Sequence, residues 1–245
     1  MIVSGRQKIT IVSLSFYWVL LFVSSHIPIP KLVYQANVSD KLLHFLAYMN
    51  LFFLLWFSVN PDGKASWRSW SIWLIITGAF ILGGIDELTQ PYVGRTCDIL
   101  DFVADAEGIL GGLIIFVFLS FWPSFLAVWA ITIFGVATLI KADPSKVAPN
   151  LDAVYHILAY AGFTLVWAKL INLYLSAKTT IRRFLLMISV PLGFMLFVKI
   201  LSVLLGRYFT SVEMLLSGGA IIVAAIATCL LKRKRGQEPF LAKGV

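Results

Sequence analysis

Charged residues, histidine and cysteine are all scarce in this chain of 245 residues. Only 13% of its residues are charged, three are histidine and two are cysteine, whereas 60% are hydrophobic. Because about a quarter of the residues of a soluble domain are charged, this composition excludes a water-soluble globule. Cys97 and Cys229 lie in different segments and form no CxxC pair, so we predict no framework of disulfides.

Familiar cofactor and metal motifs are also missing. The sequence has no Gly-rich phosphate loop after a strand, no HExxH pair and no ladder of arginines in an apolar run. Much of the net charge of +8 comes from the basic run at residues 232–235. A basic run beside an apolar segment is typical of a topology signal next to anionic lipid. We therefore predict no cofactor, no metal and no nucleic-acid partner, and membrane lipids as the surroundings.

Long apolar runs fill most of the chain, whose mean hydropathy is +0.90. A membrane-spanning helix needs about 20 apolar residues, whereas a barrel strand shows about 10 residues of alternating character. The runs here are continuous, and we predict an all-α, polytopic transmembrane helical bundle. Eight spans are predicted, at residues 9–27, 42–59, 70–89, 100–121, 123–140, 153–174, 183–205 and 212–231.

Lysine and arginine are divided unequally between the two sides of these spans. One side collects twelve of the twenty, the other collects six, and Lys169 and Lys199 fall inside spans. The excess of Lys and Arg in short loops stays in the cytoplasm, so both termini are predicted to be cytoplasmic. The polar motifs described below then open on the extracytoplasmic side.

An internal repeat has an offset of 112 residues. Segment 40–48 aligns with segment 152–160, and the Asp, His, Leu, Ala and Tyr positions coincide. The same offset carries Gly94-Arg95 onto Gly206-Arg207 and Asp101 onto Glu213. Two matches in one register indicate duplication. We predict two parallel four-helix repeats, at 1–121 and 122–231, followed by a basic cytoplasmic tail at 232–245.

The second copy has lost polar residues that the first copy carries. At the common offset, Glu87 becomes Lys199, Gln90 becomes Ser202, Asp98 becomes Thr210 and Asp105 becomes Ser217. If the chemistry is asymmetric, it belongs to the first half.

Six of the twelve acidic residues lie between positions 86 and 107, where Arg95 is the only basic residue. Asp98, Asp101 and Asp105 share one helix face, which a polar cavity, an ion or a partner helix must cover. Asp98 is interpreted as a helix cap in a wet mouth. For the deeper Asp101 and Asp105, a functional role and a structural role are both open, because ionisation there is costly.

Glu87 and Gln90 lie three residues apart at the outer end of the third span. Pro91 prevents continuation of that helix, and Gly94 permits a tight turn that folds Arg95 back over the pocket. A guanidinium in that place suits a planar anion. It either closes the loop through a salt bridge or binds an anionic group of a ligand.

Ser39 and Asp40 are predicted to form the N-cap region of the second span, with His44 one turn inside and Tyr48 one turn further along the same face. A lone membrane histidine is more often a packing residue than a ligand or a base. The recurrence of this stripe in both halves favours a shared structural role, such as fixing the second span against the fourth.

Lys199 lies near the outer end of the seventh span. We predict that its ammonium pairs with the acidic cluster across the repeat interface. The alternative is a lysine that extends to the outer membrane interface.

Taken together, these motifs resemble those of the VanZ-like membrane proteins over roughly residues 10–120. The resemblance rests on Asp40-Lys41-x-x-His44-Phe45-x-x-Tyr48, Asp86-Glu87-x-x-Gln90, Gly94-Arg95, Asp98-x-x-Asp101 and Ala104-x-x-x-Gly108. The sequence departs from the family at Asp105, where Asn is more usual, and in its duplication. The resemblance implies a bacterial plasma membrane and a link to glycopeptide resistance, since the family's namesake is tied to low-level teicoplanin resistance.

Three functions follow as hypotheses. The first is an envelope protein that binds a lipid-linked cell-wall precursor or a glycopeptide, with Arg95 on an anionic group and the Asp stripe on donors. The second is an enzyme acting on a lipid head group, with His44 or Glu87 as general base. In that case Asp101 and Asp105 form a coupled pair or bind a divalent cation. The third is an ion-coupled transporter, which needs discontinuous helices that the sequence does not indicate.

Overall fold

The computed structural model describes residues 4–26, 39–139, 149–175, 179–206 and 210–241. Within these ranges it contains eight α-helices, one 3₁₀ turn and no strand. The helices are α1 (Gly5–His26), α2 (Asp40–Val59), α3 (Trp70–Thr89), α4 (Ile99–Phe118), α5 (Phe121–Leu139), α6 (Pro149–Tyr174), α7 (Thr180–Leu204) and α8 (Ser211–Leu241), and the 3₁₀ turn Gln90–Val93 follows α3.

Six of these helices are long and apolar enough to cross a membrane, which indicates a multi-pass membrane protein. They are α1, α2, α3 with its 3₁₀ turn, α6, α7 and the part of α8 up to Leu231. The other two helices fall where spans were also predicted. However, α4 carries the carboxylates of Asp101, Asp105 and Glu107, and the apolar stretch of α5 ends at Ala137. The eight-span topology therefore stays a prediction.

Each predicted apolar run coincides with one helix, and the differences are at the ends. Helix α6 begins at Pro149, and α8 continues to Leu241, well past the predicted end at residue 231. Lys, Arg, Gln and Glu are good helix formers, so the basic run does not end the helix. The side chains of that run lie outside the described residues, as does Arg207, the predicted counterpart of Arg95.

The chain divides into two compact units, residues 1–141 and residues 142–245. Helix α5, which we assigned to the second repeat, therefore lies in the first unit. Aromatic packing explains this, because Phe121 and Phe125 of α5 stack with Phe53 of α2 at ring-centroid distances of 5.7 and 5.4 Å. Asn50 of α2 also donates to Thr132 Oγ1 of α5 at 2.9 Å.

Helix α2 is the centre of the first unit and packs against α1, α3, α4 and α5. Its C-terminal half carries large side chains that are fully buried, including Phe52, Trp56 and Phe57. The Phe57 ring lies 5.4 Å from Phe116 of α4 and 5.0 Å from Phe121 of α5. The hydrophobic core therefore lies towards the C-terminal end of α2, and its N-terminal end is left for polar residues.

The second unit is built mainly from α6 and α8, with α7 packed on both. Ala168 and Ile171 of α6, Met187 of α7 and Ala225 of α8 form its small buried core. Small residues let the helix backbones approach closely, as is common in membrane bundles.

In the first unit, close approach of α2 and α4 depends on Gly108. A Cβ atom built on Gly108 would lie 2.3 Å from the Phe45 carbonyl oxygen and 3.0 Å from the Met49 nitrogen. Both are backbone atoms of α2, so no side chain can move aside to make room. This contact fixes the spacing of the two helices that carry most of the polar side chains discussed below.

We expect Gly108→Ala to lower the free energy of unfolding by about 1–3 kcal/mol, because the methyl group forces α2 and α4 apart. Gly78→Ala on α3 is the matched control, since nothing lies within 4 Å of a Cβ built there. Thermal unfolding of the purified chain in detergent measures both. Equal unfolding temperatures for the two variants would contradict the close approach.

Candidate functional site

Polar side chains of the first unit converge where four helix ends meet. Helices α2 and α4 begin there, and α1 and α3 end there. The 3₁₀ turn contains Pro91 and ends at Gly94, whose φ of 79° is in the left-handed region that glycine adopts without strain. After this turn Asp98 caps α4 by accepting a hydrogen bond from the Leu100 amide at 2.9 Å.

Lys41, which belongs to the sequence motif at residues 40–48 but was not among the predicted site residues, holds the outer part of this cluster. Its Nζ donates to Asp98 Oδ2 and to Asp101 Oδ1, both at 2.7 Å. The side chains of Lys41 and Asp98 are 43% and 39% exposed, whereas that of Asp101 is 5% exposed. Lys41 therefore links a half-exposed mouth to the buried interior. Its position one turn before His44 on the same helix face was the signal in the sequence.

The pair with Lys41 affects the ionisation of Asp98. The Lys41 ammonium and then the Leu100 amide hold the pKa of the Asp98 carboxyl below its usual range. Because the folded-state pKa is depressed, the stabilisation from this carboxylate is present above the unfolded pKa of about 4. It is lost as the pH falls through the lower folded-state value.

His44 lies at the buried floor of the cluster, between three carboxylates. Its Nδ1 is 2.9 Å from Asp105 Oδ1 and 3.9 Å from Glu87 Oε1, and its Nε2 is 3.9 Å from Asp101 Oδ2. All four residues are buried. The imidazole thus joins α2 to α3 and α4.

Glu87 and Gln90 form the wall that α3 and the 3₁₀ turn contribute. Gln90 Nε2 donates to Glu87 Oε1 at 2.8 Å, and the Asp98 amide donates to Glu87 Oε2 at 3.1 Å. Two other buried oxygens, Gln90 Oε1 and Asp105 Oδ2, have no hydrogen-bond partner among the described residues. Buried polar atoms without a partner are rare and costly.

Arg95 closes the loop through protein contacts. Its Nη1 donates to the Ser25 carbonyl oxygen at 3.1 Å, and its Nη2 lies 3.5 Å from Asp40 Oδ2. The guanidinium is largely buried in this position. Of the two interpretations of Arg95, this geometry supports the salt bridge, and Lys41 is the more accessible cation at the mouth.

A hydrogen-bond network at the end of α1 also joins the cluster, and sequence patterns did not indicate it. Ser25 Oγ donates to Asp86 Oδ1 at 2.7 Å, and His26 Nε2 lies 2.9 Å from Thr89 Oγ1. Ser and His residues at the end of an apolar run carry no distinctive spacing, so only the tertiary contact identifies them.

Tyr48 is buried beside Gly83 of α3. A Cβ built on Gly83 would lie 3.3 Å from Tyr48 Cε1 and 3.1 Å from Asp105 Oδ2. Glycine at this position leaves space next to Asp105 Oδ2, the oxygen for which the described residues provide no hydrogen-bond partner.

The second unit contains related geometry at positions offset by 112. His156 Nδ1 lies 3.1 Å from Ser217 Oγ, where His44 meets Asp105 in the first unit. His156 Nε2 lies 3.6 Å from Asp152 and 3.8 Å from Glu213. Gly206, like Gly94, has a positive φ, of 75°. Lys199 lies on α7 within the second unit, and its pairing with the acidic cluster of the first unit stays a prediction.

The cluster is strongly negative. It brings together six carboxylates, from Asp40, Asp86, Glu87, Asp98, Asp101 and Asp105, with two permanent cations, Lys41 and Arg95. Such a site attracts hydrogen-bond donors and cations. The buried pair of His44 and Asp105 also has the arrangement in which a carboxylate orients an imidazole base.

We expect Lys41→Met to lower the free energy of unfolding by about 2–3 kcal/mol. This is less than the ~3–5 kcal/mol of a fully buried pair, because the lysine is half exposed, but the Asp101 carboxylate loses its cation. Arg6→Met is the control, since Arg6 and Asp62 form a 2.8 Å pair that is exposed on both sides. Such exposed pairs contribute about 0–1 kcal/mol. Chemical denaturation monitored by tryptophan fluorescence measures both, and equal losses would contradict the assigned role of Lys41.

Comparison with known proteins gives no match: no family model fits the chain, and no curated protein and no solved structure is significantly similar to it.

Proposed function

We propose that this protein is a VanZ-like membrane protein of the bacterial cell envelope that binds the head group of a lipid-linked cell-wall precursor at the acidic cluster. One observation carries the proposal. A continuous series of polar contacts runs from Asp98 and Lys41 at the half-exposed mouth to Asp101, His44 and Asp105 in the interior. Ionisable groups buried in a membrane helix bundle are costly, and by default they indicate a functional site.

The position of the mouth suits a lipid head group. It lies where apolar helices begin and end, and this is the depth at which head groups meet a membrane protein. The half-exposed carboxylates of Asp40 and Asp98 accept donors, and Lys41, which already bonds Asp98 and Asp101, puts a partly exposed cation at the same mouth that a phosphate can approach. A lipid-linked precursor carries a diphosphate together with sugar hydroxyls and amides. It therefore presents both kinds of group, and a glycopeptide is the alternative ligand.

We also propose that the chain is a tandem duplication and that the mouth of the acidic cluster opens on the extracytoplasmic side. The paired geometry of His44 and His156, and the left-handed Gly94 and Gly206, support a common origin of the two halves. The excess of Lys and Arg on one side supports cytoplasmic termini.

An enzyme acting on the lipid head group is the second candidate. The contact of 2.9 Å between His44 and Asp105 favours it, because the carboxylate fixes the ring for proton transfer. Release of a free head group from the bound precursor distinguishes turnover from binding.

The transporter receives no support from the helix geometry. Transporters of the parallel-repeat type place their sites at discontinuous helices, whereas α3 continues as a helix through Gly83 and Gly84.

Cys97 tests the proposed orientation directly. It is exposed and adjoins Asp98 at the mouth. We expect a membrane-impermeant maleimide added to intact cells to label the wild-type chain and not Cys97→Ser. Labelling that requires permeabilised cells would put the mouth on the cytoplasmic side and refute the orientation.

Ligand binding is tested with the full chain in nanodiscs and a purified lipid-linked cell-wall precursor. We expect saturable binding that Asp98→Asn weakens about tenfold or more, because a charge-assisted hydrogen bond is lost. Asp62→Asn is the matched control, since Asp62 is also an exposed ion-pair partner but follows the opposite end of α2. Two further binding measurements are made. One uses nanodiscs of anionic phospholipid without the precursor, to detect binding of ordinary lipid head groups, and the other uses teicoplanin as the ligand.

Failure to bind either ligand would overturn the proposed function. Equal weakening by Asp98→Asn and Asp62→Asn would remove the cluster as the binding site. Preference for teicoplanin over the precursor would replace the lipid-linked ligand with the glycopeptide.

A further inference from the structure

The floor of the acidic cluster, beneath the mouth, carries a group of side chains that could bind a metal ion. One ligand atom each from His44, Glu87 and Asp105 lies within 4.8 Å of the other two. The three residues come from α2, α3 and α4, and each is buried. From this geometry we propose that they bind a divalent transition-metal cation such as Zn²⁺ or Mn²⁺.

The distances suit ligands that share one ion. His44 Nδ1 lies 2.9 Å from Asp105 Oδ1 and 3.9 Å from Glu87 Oε1. Nitrogen and oxygen atoms bound at about 2.0–2.2 Å to one ion lie about 3–4 Å from each other. Both distances from His44 fall close to this range, and the Glu87 and Asp105 oxygens lie within 4.8 Å of each other.

An independent observation points to a missing partner at this place. Asp105 is fully buried, and its Oδ2 has no hydrogen-bond donor among the described residues. Gln90 Oε1, on the residue that bonds Glu87, is also buried without a donor. A cation bound between these three side chains supplies the partner that the Asp105 oxygen lacks.

Space beside Asp105 comes from Gly83. A Cβ at that position would lie only 3.1 Å from Asp105 Oδ2. The residue at the common offset in the second unit is Met195, which is buried. The second unit thus has a methionine side chain at the position where glycine leaves space beside Asp105 in the first unit.

The donor set indicates the class of ion. One imidazole nitrogen with carboxylate oxygens suits Zn²⁺ or Mn²⁺, whereas Ca²⁺ and Mg²⁺ prefer oxygen ligands alone. The His44 nitrogen that faces Glu87 and Asp105 is Nδ1, while Nε2 lies on the other side of the ring, 3.9 Å from Asp101 Oδ2.

Two other sets of histidine and carboxylate side chains among the described residues also lie close enough to share an ion, but their surroundings differ. In the group Asp40, His44 and Asp101, both carboxylates already contact the cations of Arg95 and Lys41. The group Asp152, His156 and Glu213 has Ser217 at the offset of Asp105 and Lys199 at the offset of Glu87. The floor of the first unit combines a histidine with two buried carboxylates, those of Glu87 and Asp105, that form no ion pair with a described Lys or Arg residue.

The cation goes beyond the proposed binding of a head group and does not depend on it. Its test uses the metal alone, so a failure of one proposal leaves the other standing.

The experiment measures metal content of the purified full chain. Bound metal is stripped with a chelator, the chain is dialysed against Zn²⁺, Mn²⁺ or Ca²⁺, and the ions are counted by mass spectrometry. We expect one Zn²⁺ or Mn²⁺ per chain, with affinity reduced about tenfold or more in Asp105→Asn. Glu107→Gln is the matched control, because it removes a carboxylate from the exposed face of the same helix.

A second variant keeps the test decisive if Asp105→Asn does not fold. Gly83→Ala removes no ligand but fills the space beside Asp105, so it also weakens metal binding. Metal must raise the unfolding temperature of the wild type and of Glu107→Gln more than that of Gly83→Ala. Absence of stoichiometric metal in the wild type overturns the proposal. Equal binding by the wild type and every folded site variant overturns it too.

Discussion

The first unit depends on one constraint, which is that a carboxylate cannot lie among apolar helices without a partner. Asp101 and Asp105 are both almost completely buried. Lys41 satisfies the first and His44 contacts the second, and both of these residues lie on α2. Since the acids lie on α4, these contacts hold α2 against α4 at the polar end, while Gly108 sets the spacing of the same two helices further in. Packing and electrostatics therefore act on one helix pair.

The two units satisfy this constraint differently. The second unit retains an imidazole between two acids, in His156, Asp152 and Glu213. Where the first unit has Asp105, however, it has the neutral hydroxyl of Ser217, at 3.1 Å from the ring. A hydroxyl is far less costly to bury than a carboxylate. Both units thus use an imidazole and acidic side chains to join two helices. A purely structural role does not require the additional carboxylates of the first unit.

Much of the fold could be predicted from the sequence, because runs of about 20 apolar residues leave few alternatives to membrane helices. Helical spacing predicted that Asp98, Asp101 and Asp105 share one helix face, and the recurrence of the stripe at residues 40–48 favoured a contact between the second and fourth spans. Two features could not be predicted. The packing of α5 in the first unit depends on aromatic rings of α2 that are distant in sequence. The choice of Lys41 over Arg95 as the accessible cation depends on side-chain directions across three helices, which no spacing encodes.

The aromatic packing at the C-terminal end of α2 determines from which end the polar residues of the first unit are reached. Phe53, Phe57, Phe116 and Phe121 close the bundle beneath the polar residues, with ring centroids 4.9 to 5.7 Å apart. These buried rings pack α2, α4 and α5 together at the end opposite the acidic cluster. Within the described residues, the exposed side of the cluster is the end at which Lys41 and Asp98 lie, so an ion or a head group approaches the buried Asp101 from that end.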